Sequence, residues 1–128
     1  MTRTFEITDQ DVTLRAVVVE MGTDLLVAVT GGERPHIGCA SVSVPRPSLA
    51  DPSIMSSTTS TINLTGHKDN GVGDRLSAVL SAALNTNVVV ACGIHIDNIG
   101  SPGIEHILSL SDKLTAQILE ALSEPEWC

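Results

Sequence analysis

Residues 74–96 read DRLSAVLSAALNTNVVVACGIHI, and the change of hydrophobic period within this stretch decides the fold class. The apolar residues of its first part share one face of a helix that begins near Asp74. They are Leu76, Val79, Leu80, Ala83 and Leu84. Asn85-Thr86-Asn87 is expected to end this helix. Residues 88–96 are almost entirely apolar, which predicts a strand buried on both faces.

Strand patterns precede this stretch. Residues 12–30 alternate and then become apolar on either side of the turn Met21–Asp24, which predicts a hairpin. Residues 36–44 predict another strand. The proline-rich segment 45–52 is expected to break any strand pairing. Met55–Leu64 is rich in Ser and Thr and lacks Pro and charge, which indicates an edge strand.

A second helical pattern follows the central stretch. Ser101 is a candidate cap and Pro102 a candidate first helical residue. Ser109 with Asp112 could restart the helix as a capping box, and Pro125 is expected to end it. Because strands come first and helices later, the chain is predicted to be an α+β domain, a mainly antiparallel sheet with two flanking helices.

Composition narrows the function classes. The 128 residues carry a net charge of −8, with 7 Lys+Arg against 15 Asp+Glu, which argues against nucleic acid or anionic membranes as partners. No apolar run approaches the roughly 20 residues of a membrane span. The first residues lack an apolar signal core, so we expect a cytoplasmic protein. The length predicts a single domain over residues 1–128.

Polar residues that interrupt the apolar pattern fall into three clusters. Residues 30–38 read TGGERPHIG, residues 66–75 read GHKDNGVGDR, and residues 93–98 read GIHIDN. Each lies at the end of a predicted strand, where loops of an α+β domain converge. We therefore expect one polar pocket.

The second cluster indicates a phosphate site. Gly71 and Gly73 lead into the predicted helix, whose free amides and dipole favour an anion. Lys68 and Arg75 add positive charge, although the motif of a nucleotide P-loop is absent. Asp74 at the same terminus would compete with a phosphate and should therefore point away from it. A solvated loop with a capped helix is the alternative interpretation.

A metal site, a carboxylate pair and a reactive thiol are less well supported by the spacing of the residues that would form them. His36, His67 and His95 lie one in each cluster and match no common zinc pattern, so we expect no bound metal. Asp69 and Asp97 could form a carboxylate pair, but nothing in the sequence fixes their separation. The three cysteines form no CxxC pair, and two of them, Cys39 and Cys92, lie in apolar strands as expected of inert core thiols.

Taken together, the motifs TGGxxPHIG (30–38), HKD (67–69) and GIHIDNI (93–99) resemble the small prenylated-flavin chaperones. These are the D-type, LpdD-like accessory proteins of gallate-type decarboxylases, and the resemblance spans about Val12 to Leu122. It implies a fold similar to small proteasome-assembly chaperones, no enzymatic activity, and a homodimer. It also implies binding of reduced prenylated FMN as cargo for an apo-decarboxylase, with the flavin prenyltransferase as a further partner.

The residues in matching segments are the candidate cofactor-binding set implied by the resemblance. They are Gly31, Gly32, His36, His67, Lys68, Asp69 and His95, to which the phosphate argument adds Arg75. With no interior aromatic residue to stack on it, the flavin ring would lie between aliphatic side chains. Two alternatives remain open: a protein-binding assembly chaperone with no small-molecule ligand, and a small metal-dependent enzyme.

Overall fold

The computed structural model describes residues 1–64 and 70–123. In chain order its elements are β1 (Thr2–Asp9), β2 (Val12–Met21), β3 (Asp24–Gly32), β4 (Cys39–Pro47), β5 (Met55–Asn63), α1 (Asn70–Leu84), β6 (Val88–His95) and α2 (Ser101–Leu122). The strands form one sheet in the order β1-β2-β3-β6-β4-β5. Every neighbouring pair is antiparallel except β3 and β6, which are parallel.

Both helices cover the same face of this sheet. α1 packs on β4, β5 and β6, while α2 packs on β1 and β2. The core lies between the layers, where alternate strand residues point toward the helices; its fully buried large side chains include Leu14, Val18, Val27, Val90, Leu76, Leu80 and Leu114. The predicted α+β class, a mainly antiparallel sheet with two flanking helices, is confirmed.

Several local predictions are also confirmed. β2 and β3 form the hairpin expected over residues 12–30, and Gly22 takes the positive φ of 64° that its turn requires. β5 lies at one edge of the sheet, as predicted from the Ser- and Thr-rich segment. α1 ends at Leu84, where Asn85 adopts a left-handed φ of 52°.

The start and the buried face of α1 differ from the prediction. The helix begins at Asn70 rather than Asp74, so Gly71 and Gly73 belong to its first turn and not to a loop. Val79 is 46% exposed, because the buried face turns instead toward Ser77 and Leu80. A side chain at Gly73 would lie about 3 Å from polar and sulfur atoms of β4, so its absence lets the helix approach the sheet.

The layer between α1 and the edge strands is polar, which explains the altered helix face. β4 and β5 present hydroxyl groups toward the helix. Ser43 Oγ donates to Ser77 Oγ at 2.9 Å and lies 2.7 Å from Thr59 Oγ1. Satisfied hydroxyls can be buried at little cost, so serines replace the expected apolar residues here.

α2 is one continuous helix. Gly100 rather than Ser101 is its N-cap, no side chain caps it, and Pro102 occupies the first turn as expected. There is no restart at Ser109, because Asp112 forms an ion pair with α1 instead of a capping box. The helix ends at Leu122, and Pro125 lies outside the described residues.

The structure differs from two further predictions, which concern β4 and β6. β4 begins at Cys39 rather than His36 and continues through Pro47 despite its prolines. β6 pairs with β4 only as far as Ser43, so beyond it β4 has an open edge where a missing N–H costs no hydrogen bond. Within residues 1–64 and 70–123, β6 is covered by helix on one face only, and the alternate residues on its other face are half-buried.

Candidate functional site

The carboxyl ends of β3 and β6 meet at one end of the sheet, as those of adjacent parallel strands must. Gly32 is the register partner of His95. We call the segments 31–38 and 93–97 that gather here the strand-end site. Glu33 N donates to His95 O at 2.7 Å and Gly38 N donates to Cys92 O at 2.8 Å, so the two segments are fastened together. In open sheets with parallel strands, ligands bind at such ends.

Glycines allow this close approach. A Cβ on Gly32, whose φ is +75°, would lie 2.1 Å from His95 O, and a Cβ on Gly93 would lie 1.9 Å from His36 O. Gly31 is buried against β2, where a Cβ would meet Leu14 Cδ2 at 2.5 Å. The glycines predicted to bind the cofactor therefore shape the site with their backbone.

Three side chains interact at the exposed surface of the site. Arg34 Nη2 lies 2.7 Å from His95 Nε2, which in turn lies 2.7 Å from Asp97 Oδ1. Arg34 also approaches Asp97 at 3.5 Å. The hydrogen bond from His95 is the main reason that the pKa of Asp97 lies below its ordinary value. The cluster is thus a guanidinium and an imidazole held by one carboxylate.

His95 Nε2 has two competing partners. Without a proton it accepts a hydrogen bond from Arg34, and with a proton it donates to Asp97. One nitrogen cannot do both at once. A proton on Nε2 therefore favours the bond to Asp97 over the contact with Arg34, whose guanidinium still lies 3.5 Å from Asp97 Oδ1.

His36 is oriented by its own loop. Its Nδ1 lies 2.9 Å from Arg34 O. A carbonyl oxygen can only accept, so this bond places a proton on Nδ1. The structure thus brings together four of the predicted site residues, namely Gly31, Gly32, His36 and His95.

The carboxylate of Asp74 is directed away from the start of α1. Its first turn, residues 70–73, contains no acidic residue. Asp74 lies one turn further along, and its Oδ1 accepts hydrogen bonds from Ser41 Oγ at 2.7 Å and from Thr61 Oγ1. The prediction that Asp74 points away from the helix terminus is consistent with these bonds, which direct its carboxylate to the sheet.

Arg75 does not join the strand-end site as the sequence suggested. Its Nη2 lies 2.6 Å from Asp112 Oδ2, so the guanidinium joins α1 to α2 at a half-exposed position. The carboxylate already neutralises this charge. Arg75 therefore links α1 to α2 in the structure, and its predicted contact with a phosphate stays a prediction.

The remaining predicted residues, His67, Lys68 and Asp69, lie outside the described residues, and so does any pairing of Asp69 with Asp97. Within residues 1–64 and 70–123, no three His, Cys, Asp or Glu side chains are grouped so as to hold a metal ion. The expectation for Cys39 and Cys92 as core thiols fits their complete burial.

Comparison with known proteins identifies the family of this chain. A family model described as the prenylated flavin chaperone LpdD-like domain matches residues 8–123. The chain belongs to this family. The sequence is also 28% identical over 118 residues to Protein LpdD of Lactiplantibacillus plantarum, an alignment that covers 85% of this chain and 76% of that protein. Membership gives the LpdD-like protein a chaperone role and points away from an enzyme.

A solved structure extends the likeness at the level of the fold. The crystal structure of a chaperone complex for yeast 20S proteasome assembly contains a similar chain, with a TM-score of 0.55 and 15% identity, covering 93% of this chain and 97% of that one. The predicted similarity to proteasome-assembly chaperones is confirmed. Neither helix of the described part of the LpdD-like protein is both long and apolar enough to cross a membrane.

Sequence reasoning missed Arg34 as a site residue of the LpdD-like protein. Arg34 lies in the loop directly after Gly31 and Gly32, and the chain has only seven basic residues. A rare cation at the end of a buried strand was the available signal. Asp97 was considered only as a partner of Asp69, because the sequence does not reveal that β3 and β6 are neighbours.

Proposed function

We propose that the LpdD-like protein binds reduced prenylated FMN as cargo and delivers it to an apo-decarboxylase that depends on this cofactor. The observation that carries the proposal is the family match over residues 8–123, whose description names prenylated flavin. The strand-end site supports it, since it combines exposed cationic and hydrogen-bonding groups with a helix terminus nearby.

The phosphate would be held by Arg34. Its side chain is 70% exposed, and its present partners are one imidazole nitrogen and one carboxylate. A phosphate offers a guanidinium two parallel charge-assisted hydrogen bonds. A proton on His95 Nε2 would favour its bond to Asp97, so Arg34 would lose one of its two partners and a phosphate could take that place. Amides at the start of α1 would add to the anion site.

The flavin ring would lie against aliphatic side chains. Leu64 N donates to Gly38 O at 2.9 Å, so the end of β5 lies beside the loop that carries Ile37. Ile37 is 60% exposed and Leu64 is 46% exposed. Apolar surface of this kind supplies much of the affinity in cofactor sites, and prenylation adds apolar surface to the ligand.

A groove at the opposite end of the sheet is a poorer candidate. It has a volume of about 430 Å³ and is lined by Glu20, Gly22, Thr23, Leu25, Leu84, Thr86 and Leu122. Unlike the strand-end site, this groove has no cation among its lining residues to bind a phosphate, and its one ionisable residue is an acid. We therefore assign the cargo to the strand-end site.

The proposal implies two partner proteins, one that makes the cargo and one that receives it. The flavin prenyltransferase produces the cargo and the apo-decarboxylase consumes it, and we propose that the chaperone itself is a homodimer in the cytoplasm. The second candidate function is a protein-binding assembly chaperone without a small-molecule ligand. It is favoured by an apolar sheet face that neither helix covers.

An anaerobic titration with reduced prenylated FMN tests the proposal. Arg34→Gln should weaken binding roughly ten- to a hundredfold, because a charge-assisted hydrogen bond to phosphate contributes about 1.5–3 kcal/mol. The matched control is Lys113→Gln, which removes an exposed charge from α2 and should leave binding unchanged. Lys68→Ala is compared in parallel, since the sequence predicts the phosphate beside Lys68.

The outcomes separate the candidates. Binding by the wild type, and activation of apo-decarboxylase by the loaded protein, would support cofactor delivery. If the wild type binds no reduced prenylated FMN but still associates with apo-decarboxylase, the protein-binding candidate replaces it. Equal affinities of Arg34→Gln and Lys113→Gln would move the phosphate away from the strand-end site.

A further inference from the structure

The edge strand β5 presents backbone groups along its outer side. In the described part of the chain it pairs with β4 on one side, and no strand lies on its other side. An edge strand of this kind offers a row of N–H and C=O groups with which a further strand can pair. The ligand that matches such a row along its length is another extended polypeptide.

The hydrogen bonds to β4 show which residues of β5 face this edge. Backbone groups in a strand point alternately to its two sides. Leu64 N donates to Gly38 O in the register of β4 and β5, so even-numbered residues of β5 point toward β4. Pro45 and Pro47 of β4 agree with this, because they have no N–H and lie opposite odd-numbered residues. The residues whose N–H and C=O groups face the free edge are therefore Met55, Ser57, Thr59, Thr61 and Asn63.

The middle three of these residues are held in place by their side chains. Ser57 Oγ donates at 3.0 Å to a backbone carbonyl of α1. Thr59 Oγ1 lies 2.7 Å from Ser43 Oγ of β4, and Thr61 Oγ1 donates to the carboxylate of Asp74. The backbone of the edge is therefore fixed before a partner arrives, which lowers the entropic cost of binding.

The two edges of the sheet differ in their protection. β1, at the other edge, carries the charged residues Arg3, Glu6 and Asp9. Charges of this kind discourage the addition of a strand. β5 has no charged residue and no proline among its nine residues, and its pairing with β4 runs without a bulge. Because native sheets rarely leave such an edge exposed, β5 is the edge that a partner would cover.

The position of β5 indicates which partner this is. The bond from Leu64 N to Gly38 O ties the end of β5 to the loop that carries His36 and Ile37. A strand added along β5 would therefore extend to the strand-end site. The protein that takes the cargo has to come to this site, whereas a second copy of the chain does not, so the position favours the acceptor.

We propose that an extended segment of the acceptor apo-decarboxylase adds to the sheet along β5, as a seventh strand that brings the acceptor beside the cargo. The inference rests on the delivery function proposed above and adds its docking element. Main-chain hydrogen bonds supply the contact, and side chains at alternate positions of the segment supply specificity. Ile62 is 70% exposed, so the segment should place an apolar residue opposite it.

Amide hydrogen exchange on the full chain, alone and in complex with purified apo-decarboxylase, tests the proposal. The amides of Ser57, Thr59 and Thr61 should exchange at least about tenfold more slowly in the complex, because each gains a hydrogen bond. The amides of Thr58 and Ser60 are the internal control. They point toward β4 and should be protected in both states.

A proline at the edge gives a second readout. Thr59→Pro removes one edge N–H and a side-chain bond to Ser43 but no backbone bond to β4, so association with apo-decarboxylase should weaken at least about tenfold. The matched control is Thr4→Pro on β1. Met1 O accepts from Glu20 N, so odd-numbered residues of β1 face β2 and Thr4 faces the other free edge. Association of Thr4→Pro should be unchanged.

The outcomes separate this docking element from cofactor delivery. Circular dichroism checks that both variants are folded, and if Thr59→Pro is not, the exchange pattern of the wild type decides. Edge amides that exchange equally fast with and without apo-decarboxylase would overturn strand addition, even where the loaded protein activates the enzyme. Alternating protection in the complex, without any binding of reduced prenylated FMN, would support the docking element and overturn delivery.

Two further results would also count against the proposal. Slow exchange of the odd-numbered amides in the chain alone would show that another strand, such as that of a second copy, already covers β5. Failure of the chain to associate with apo-decarboxylase would overturn the docking element, while the anaerobic titration decides separately whether the cargo is bound.

Discussion

Gly93 is the position where the strand-end site should be most sensitive to a single methyl group. Its φ is outside the left-handed region, so alanine is compatible with its backbone. The added Cβ, however, would lie 1.9 Å from His36 O and 2.4 Å from His36 C. Both atoms belong to the backbone, so no side-chain rotation relieves the clash. Either β6 or the loop that carries His36 has to move by about 1 Å.

The cost of Gly93→Ala follows from that displacement. Overpacking of a buried site costs about 1–3 kcal/mol, and the nearby hydrogen bond from Gly38 N to Cys92 O contributes about 1 kcal/mol if it is lost. We expect the free energy of unfolding of Gly93→Ala to be about 2–4 kcal/mol lower than that of the wild type. At roughly 4 °C per kcal/mol, the melting temperature should fall by about 8–16 °C.

Calorimetry and urea unfolding measure this change, and amide exchange locates it. The amides of Glu33 and Gly38 should exchange faster in the variant, because they donate across the contact that is displaced. The control is Gly71→Ala, whose Cβ would meet Leu108 Cδ2 at an ordinary 3.6 Å. Its stability should be unchanged or slightly higher, since alanine favours a helix. If Gly93→Ala unfolds at the wild-type urea concentration, the loop does not cross β6 as described.

The remaining predictions concern surface electrostatics. Arg75→Ala should lower stability by less than about 1 kcal/mol, and less still at high salt, because its bond to Asp112 is half-exposed. Urea unfolding at two salt concentrations checks this, and the affinity of the variant for reduced prenylated FMN tests whether Arg75 contacts the phosphate. The pKa of Asp24 lies below its ordinary value near 3.8, chiefly because Thr86 donates a hydrogen bond to it. That stabilisation is present above pH 3.8 and is lost as pH falls through the lowered pKa, so Asp24→Asn should be less stable than the wild type at neutral pH and approach it in acid. Parallel stability profiles for Asp24→Asn and the wild type would contradict this.

The fold class could be predicted because it follows from the periodicity of the apolar residues. The alternation in residues 12–30 reflects the buried face of two strands, and the spacing of Leu76 and Leu80 reflects the buried face of a helix. The structure buries these same faces. Turn residues correctly predicted the turn between β2 and β3 at Gly22 and the end of α1 at Asn85. These features depend on neighbours in the sequence, which is why the sequence contained them.

The errors arose where a long-range contact decided the outcome. Val79 appeared apolar enough for the core, but the hydroxyl groups of β4 and β5 favour serines on the buried face of α1. The ion pair of Arg75 with Asp112, 37 positions later, was likewise not visible in the sequence. Arg34 was overlooked because His95 and Asp97 reach it only through the parallel pairing of β3 and β6.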